Sequence, residues 1–262
     1  SGRVNATQKL MDGRLNIDFY LNSTIETGEN AHMTTVTSNM LQFNPTYPAF
    51  TDGEPTKYPD LINPISQAEL FTNFNEIRRT LVNIAPSFEI IDGLVYKLNL
   101  GYTKSSRALD RQEMPSVDPF VEGLLQQENS DGSNTIIENY LTYTKKFNDH
   151  DLTLLGGHSY QKTTDRWSSW NIVGFEANGI EPRYNPGLGQ QLDLANNRPD
   201  GRAQENELQS FFGRATYQYK GKYMITGTVR ADGSSKFGEN NKYGTFPSFA
   251  AGWRISDESF IS

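Results

Sequence analysis

Three histidines, His32, His150 and His158, are the sequence's only imidazoles, and no cysteine is present to join them. Their positions match no zinc-ligand spacing, so no metal site is expected. Ser159, in Gly157-His158-Ser159-Tyr160-Gln161, has the first glycine of a nucleophile elbow but lacks the second. It also lies in an alternating segment, whereas an elbow needs a strand-to-helix turn. Asn129-Ser130-Asp131-Gly132-Ser133 resembles part of a calcium loop without the acidic spacing or closing glutamate, and reads as a polar turn. Gly187-Leu188-Gly189 has no third glycine and no following helix to cradle a phosphate. Asp110 and Glu113 are paired carboxylates in a polar stretch, where solvated charge is the expectation. No enzyme, cofactor or metal is expected. Trp167 and Trp170 are left as candidate ligand contacts, because exposed indoles offer stacking surfaces in a polar loop.

What must position these residues is a set of strands. Aromatic residues make up 12% of the 262 positions, and Gly, Asn, Ser and Thr are plentiful, which favours strands and turns over helices. A net charge of −7 offers nothing to a phosphate backbone, so nucleic acid is not an expected partner. No apolar run reaches the length of a transmembrane helix. The dominant signal is alternation with period two. Leu15, Ile17, Phe19 and Leu21 interleave with Asn16, Asp18, Tyr20 and Asn22, and Leu94, Tyr96, Leu98 and Leu100 with Lys97 and Asn99. Near the end, Tyr223, Ile225 and Val229 interleave with Thr226, Thr228 and Arg230. Weaker runs bring the expectation to about nine strands, several about ten residues long, the length a tilted membrane-spanning strand needs.

The connections are of two kinds. Tight turns are expected at Asp12-Gly13, Asp92-Gly93, Asn148 to Asp151 and Lys220-Gly221-Lys222. Between them lie long polar stretches, Thr27 to Asn75, Ser105 to Thr135, Arg166 to Asn206 and Ser234 to Tyr243. Strict alternation puts all tight turns at one end of an up-and-down sheet and all long loops at the other, as in outer-membrane barrels. Pro45, Pro48, Pro55, Pro59 and Pro64 break regular structure in the first loop, and Ser66 with Glu69 suggests a capped helix over Ser66 to Phe74.

Alternation alone also fits a β-sandwich whose apolar faces meet inside. Loop asymmetry, strand length and the aromatics Tyr20, Tyr102, Tyr160, Tyr217, Tyr219, Tyr223 and Trp253 near strand ends favour a membrane wall. Its apolar face would then meet lipid, and Asp18, Glu89, Lys97, Arg214, Arg230 and Arg254 would face a lumen. The fold class expected is all-β, antiparallel and up-and-down, part of a large transmembrane β-barrel. The alternative is a soluble or surface-exposed β-sandwich that binds a ligand.

The last fifth carries a continuous pattern: Arg230-Ala231-Asp232-Gly233-Ser234-Ser235-Lys236-Phe237-Gly238, Asn240-Asn241-Lys242-Tyr243-Gly244, Phe246-Pro247-Ser248 and Gly252-Trp253-Arg254-Ile255-Ser256. It closely resembles the barrel signature of SusC/RagA-type TonB-linked outer-membrane proteins. Residues 208–223 resemble that family's strand-turn-strand unit; the earlier part is similar in organisation. The resemblance implies an outer-membrane importer of about 22 strands with a plugged lumen in a Gram-negative bacterium. It would take up oligosaccharides, or peptides, with a SusD-like surface lipoprotein and energy from TonB. Residues 1–262 are then expected to be a partial barrel domain, with the plug and the TonB-contacting segment outside them. The signature residues Arg230, Asp232, Gly233, Phe237, Gly244, Pro247, Gly252, Trp253 and Arg254 are expected to hold wall and loop together, with Gly233 permitting a tight backbone course.

Overall fold

The computed structural model describes residues 1–31, 33–58, 61–189 and 199–261. His32 and Pro59 lie outside the described residues. Nine long strands, numbered here in chain order, form one antiparallel sheet in which each pairs with the next. They are β1 Gly2–Leu10, β2 Leu15–Ala31, β3 Phe71–Ile91, β4 Leu94–Glu113, β5 Leu124–Phe147, β6 His150–Val173, β7 Asp200–Tyr219, β8 Tyr223–Ser234 and β9 Tyr243–Trp253. Among the described residues two α-helices, α1 Met33–Gln42 and α2 Pro64–Leu70, and two hairpins of two-residue strands sit in the connections.

The tight turns gather at one end because each supplies residues that tolerate left-handed backbone. Asp12, Asn148 and Lys220 have φ between 50° and 55°, and Gly93 has φ of 77°. A Cβ at Gly93 would run into the Thr144 carbonyl oxygen, so glycine is required there on two counts. At the β3 end of its turn the ladder is irregular between Glu89 and Ile91. Arg14 caps the freed carbonyls, its guanidinium donating to Ile90 O at 2.6 Å and to Glu89 O at 3.0 Å.

Register decides the faces, since paired residues in neighbouring strands share one. Leu21, Val82 and Tyr102 fall on one face, as do Leu154, Ala215 and Gly227. Asp18, Lys97, Arg214 and Arg230 all fall on the other. Among the described residues the apolar face has no second layer: Ile225 is 59% and Phe249 87% exposed, and Leu15, Phe19, Leu98, Ile225 and Trp253 are absent from the buried residues. A β-sandwich would have buried them.

Strand length departs from the sequence expectation. The segment 105–135, read there as a loop, is mostly strand, and strand also takes both ends of 166–206: β4 runs to Glu113, β5 starts at Leu124, β6 runs to Val173 and β7 starts at Asp200. Asn129 to Ser133 is therefore a stretch of β5 paired with both neighbours instead of a turn. Both faces are polar there, so no alternation marks the strand. In the first connection, α2 begins at Pro64, two residues before Ser66. Its cap is Asn63, whose Oδ1 accepts from the Ile65 N–H at 3.0 Å, and the chain becomes β3 at Phe71. Helix α1 carries no alternation and was not expected.

Candidate functional site

On the apolar face an aromatic row crosses five strands at the tight-turn end: Phe147, His150, Tyr219, Tyr223 and Trp253 share one register line. Their rings follow one another at 4.9 to 6.5 Å between centroids. His150 is satisfied by the Tyr217 hydroxyl at 2.5 Å. A second aromatic level lies near Tyr102, Tyr160 and Tyr243. Ten residues separate Trp253 from Tyr243 and His150 from Tyr160. At about 3.3 Å per residue and a tilt near 40°, that is roughly 25 Å of apolar height, the thickness of a barrel's lipid-facing band. Tyr20 is not part of either row: it lies on the polar face opposite Asn83 and Asn5. Below the band, Glu258 accepts from the Tyr223 hydroxyl at 2.6 Å and the Trp253 indole at 3.0 Å, which hold its carboxyl below the usual range.

The polar face carries two adjacent register lines near the upper aromatic level. One runs Asn99, Glu138, Ser159, Ser210, Asp232, Gly244. The other runs Lys97, Tyr140, Gly157, Phe212, Arg230, Phe246. In the first, Asn83 donates to Asn99 at 2.8 Å and Asn99 to Glu138 at 2.7 Å. Arg230 ties the lines together, donating to Asp232 at 2.6 Å and Ser210 at 3.1 Å while lying 5.5 Å from the Phe212 ring centroid. Ser159 is thus one position on the polar register line, between Glu138 and Ser210. Of the two carboxylates considered for acid–base work, Asp110 shares the face of Phe74 and Glu113 that of Phe71, so the sheet separates them.

The two tryptophans part company. Both lie in β6, not in a loop. Trp167 is on the polar face between Ser130 and Arg202. Trp170 is on the opposite face, packed against the buried cluster Leu125, Ile172 and Phe175. That cluster exists because the chain after β6 folds back over the sheet: Gly189 sits against Ile172 and Phe175, Arg183 lies 3.3 Å from the Phe74 ring centroid, and Gln112 donates to Glu181 at 3.1 Å. Gly187 and Gly189 thereby serve a packed turn.

The signature residues occupy several environments. Arg230 and Asp232 are on the polar face, Phe237 is 62% exposed in the β8–β9 connection, and Trp253 is in the aromatic row. Gly233 is extended, and its lack of a Cβ seats the Tyr243 ring, which would lie 2.6 Å from such an atom. Gly244 similarly lies under Phe246, and Gly252 lies against Met224. Pro247 stands opposite Val229, and Arg254 donates its backbone N–H to Lys222 O at 2.8 Å. The alternation already puts Asn99 on the polar side of its strand, whereas Glu138, Tyr140, Phe212 and Phe246 are not placed on the polar face in sequence. Counting parity across the turns from Arg230 would have placed them on its face.

A sheet of paired strands with one exposed apolar face, bounded by aromatic levels, and one hydrogen-bonded polar face is the wall of a transmembrane β-barrel. The relatives make it specific. The chain is 34% identical over 204 residues to TonB-dependent receptor P3 of Formosa agariphila, matching 77% of this chain and 20% of that protein. It is 34% identical over 130 residues to TonB-dependent receptor SusC of Bacteroides thetaiotaomicron, matching 47% of this chain and 11% of that one. The RagAB peptide transporter superposes with a TM-score of 0.80 at 21% identity, over 99% of this chain and 30% of the matched chain. No family model matches. The chain is a segment of a SusC/RagA-type TonB-dependent receptor barrel, spanning about a fifth of the length of the first of these relatives. The proteins it resembles are receptors and transporters, not enzymes.

Proposed function

We propose that residues 1–262 are part of the barrel domain of an outer-membrane importer, with the plug and the TonB-contacting segment supplied by the rest of the receptor. The observation that carries this is the two-faced sheet: apolar side chains stand exposed over a band about 25 Å tall, while the opposite face carries polar side chains hydrogen-bonded across strands. Lipid is the second layer that the apolar face requires, and the polar face encloses an aqueous lumen. The cargo proposed is an oligosaccharide delivered with a SusD-like surface lipoprotein, because the lumen face offers amides, hydroxyls and rings. A peptide is the second reading, favoured by the likeness to a peptide transporter. Trp167 is the rim residue proposed to meet cargo, whereas Trp170 is engaged in packing. The signature residues are proposed to be structural, apart from the polar-face members considered below.

The test is partitioning of the full-length gene product. Recovery in the outer-membrane fraction, with migration on gels that changes on heating, is the expected result. A freely soluble monomer overturns the reading.

A further inference from the structure

The apolar face explains its own exposed rings by lipid. The polar face does not, and three of its rings, half-buried Tyr140 and Phe212 and exposed Phe246, lie on one register line. Tyr140 and Phe212 approach to 5.8 Å between centroids at 53°, Arg230 stands over Phe212, and Phe246, 59% exposed, is Arg230's partner in the next strand. Two glycines hold these rings flat against the wall. A Cβ at Gly157 would run into the Phe212 ring, and one at Gly244 would lie 3.0 Å from Phe246. Within these nine strands, no described residue covers most of Phe246, which is 59% exposed.

We propose that Tyr140, Phe212, Arg230 and Phe246 form a stacking subsite for a neutral sugar on the lumen wall, with Glu138 and Asp232 on the adjacent register line as hydroxyl acceptors. This rests on the importer reading above. A pyranose presents a face of C–H groups, which suits a flat ring, and a rim of hydroxyls, which suits carboxylates and a guanidinium. Arg230 is already neutralised by Asp232 at 2.6 Å, so the patch gives little purchase to a charged cargo. Its position beside the upper aromatic level places it where cargo descending the lumen reaches the membrane-spanning wall.

The experiment is calorimetric binding of maltohexaose, cellohexaose and mannohexaose to the full-length receptor in detergent. Wild type is compared with Phe246→Ala, Phe246→Leu and, on the lipid face, Phe249→Ala. Wild type is expected to bind at least one hexasaccharide. Both Phe246 variants are expected to weaken it tenfold or more, with Phe249→Ala unchanged. Phe246→Leu keeps apolar bulk, so it separates loss of stacking from loss of folding. Equal binding by wild type and both Phe246 variants overturns the subsite and leaves the importer reading standing. A receptor that binds no hexasaccharide but binds a peptide mixture overturns the subsite together with the oligosaccharide cargo. Loss of the heat-modifiable folded form in both Phe246 variants shows a structural seat for an inner protein segment and also overturns it.

Discussion

Strand β6 crosses two worlds without leaving its sheet. Toward the tight turn its apolar face shows Leu152 and Leu154, and further along the same face shows Lys162, Thr164 and Arg166. The lower part is two-faced, and no described residue forms a second layer over it. The upper part is polar on both faces and builds a dry core of its own under the returning chain. Buried apolar residues mark the divide. Phe71, Val121, Leu125, Ile172 and Phe175 all belong to the upper strand ends or their connections, and Ala85 is the one buried apolar residue of the lower wall among those described. Where lipid is the partner, the sheet needs no core; where water is, it makes one.

That contrast should break most visibly at Leu125, which is 0% exposed. Leu125→Ala is expected to cost about 2–5 kcal/mol locally, through lost burial and the cavity left behind. Amide hydrogen exchange should then show faster opening of the β5 and β6 upper ends, with the turn-end halves unchanged. Uniform acceleration along the strands would show one cooperative unit.

Val229→Arg probes the other half. An arginine facing hydrocarbon near mid-band is expected to destabilise the barrel by about 2–4 kcal/mol. Ala203→Arg, on the same face but above the band and exposed, should stay within about 0.5 kcal/mol. Denaturant unfolding of the full-length receptor from vesicles measures both. Equal effects would remove the lipid boundary drawn at Tyr160 and Tyr243.

A smaller effect is expected at the boundary itself. Gly233→Val would force the Tyr243 ring away and break its hydroxyl's 2.9 Å bond to Gln209, an overpacking cost of about 1–3 kcal/mol. A lowered midpoint of the heat-modifiable transition checks it, and an unchanged one would show that the ring has no fixed seat.

The same divide explains what could be read from sequence. In the lower wall one face meets lipid and the other water, so Leu15 to Asn22 and Tyr223 to Arg230 alternate, and strands, turns and faces were all legible. Above the band the alternation is erased. Asn129 to Ser133 looks like a turn because every side chain there is polar or small, and only pairing with β4 and β6 makes it strand. Trp167 and Trp170 could be recognised as notable but not told apart, because their opposite faces depend on β6 continuing to Val173. The Arg230–Phe212–Phe246 group was invisible for another reason: its members lie on three strands and meet only through register.

Glu113 gives the smallest and most discriminating test. It lies on the polar face of the upper wall between Phe71 and Leu124, whose apolar surroundings push its carboxyl pKa up from 4.5, with Arg111 opposing. A carboxyl whose folded pKa is raised costs stability while ionised. The cost is present at neutral pH, fades as pH falls through the raised value, and is gone below the unfolded value of 4.5. Glu113→Gln removes the ionisable group, so at pH 7 the variant's β3–β4–β5 upper ends should exchange amide hydrogens more slowly than wild type. Compared at equal pH, the difference should shrink on acidification and vanish near pH 4. An opposite sign at pH 7 would mean that the Arg111 attraction outweighs burial, and that this half of the wall is wetter than its packing implies.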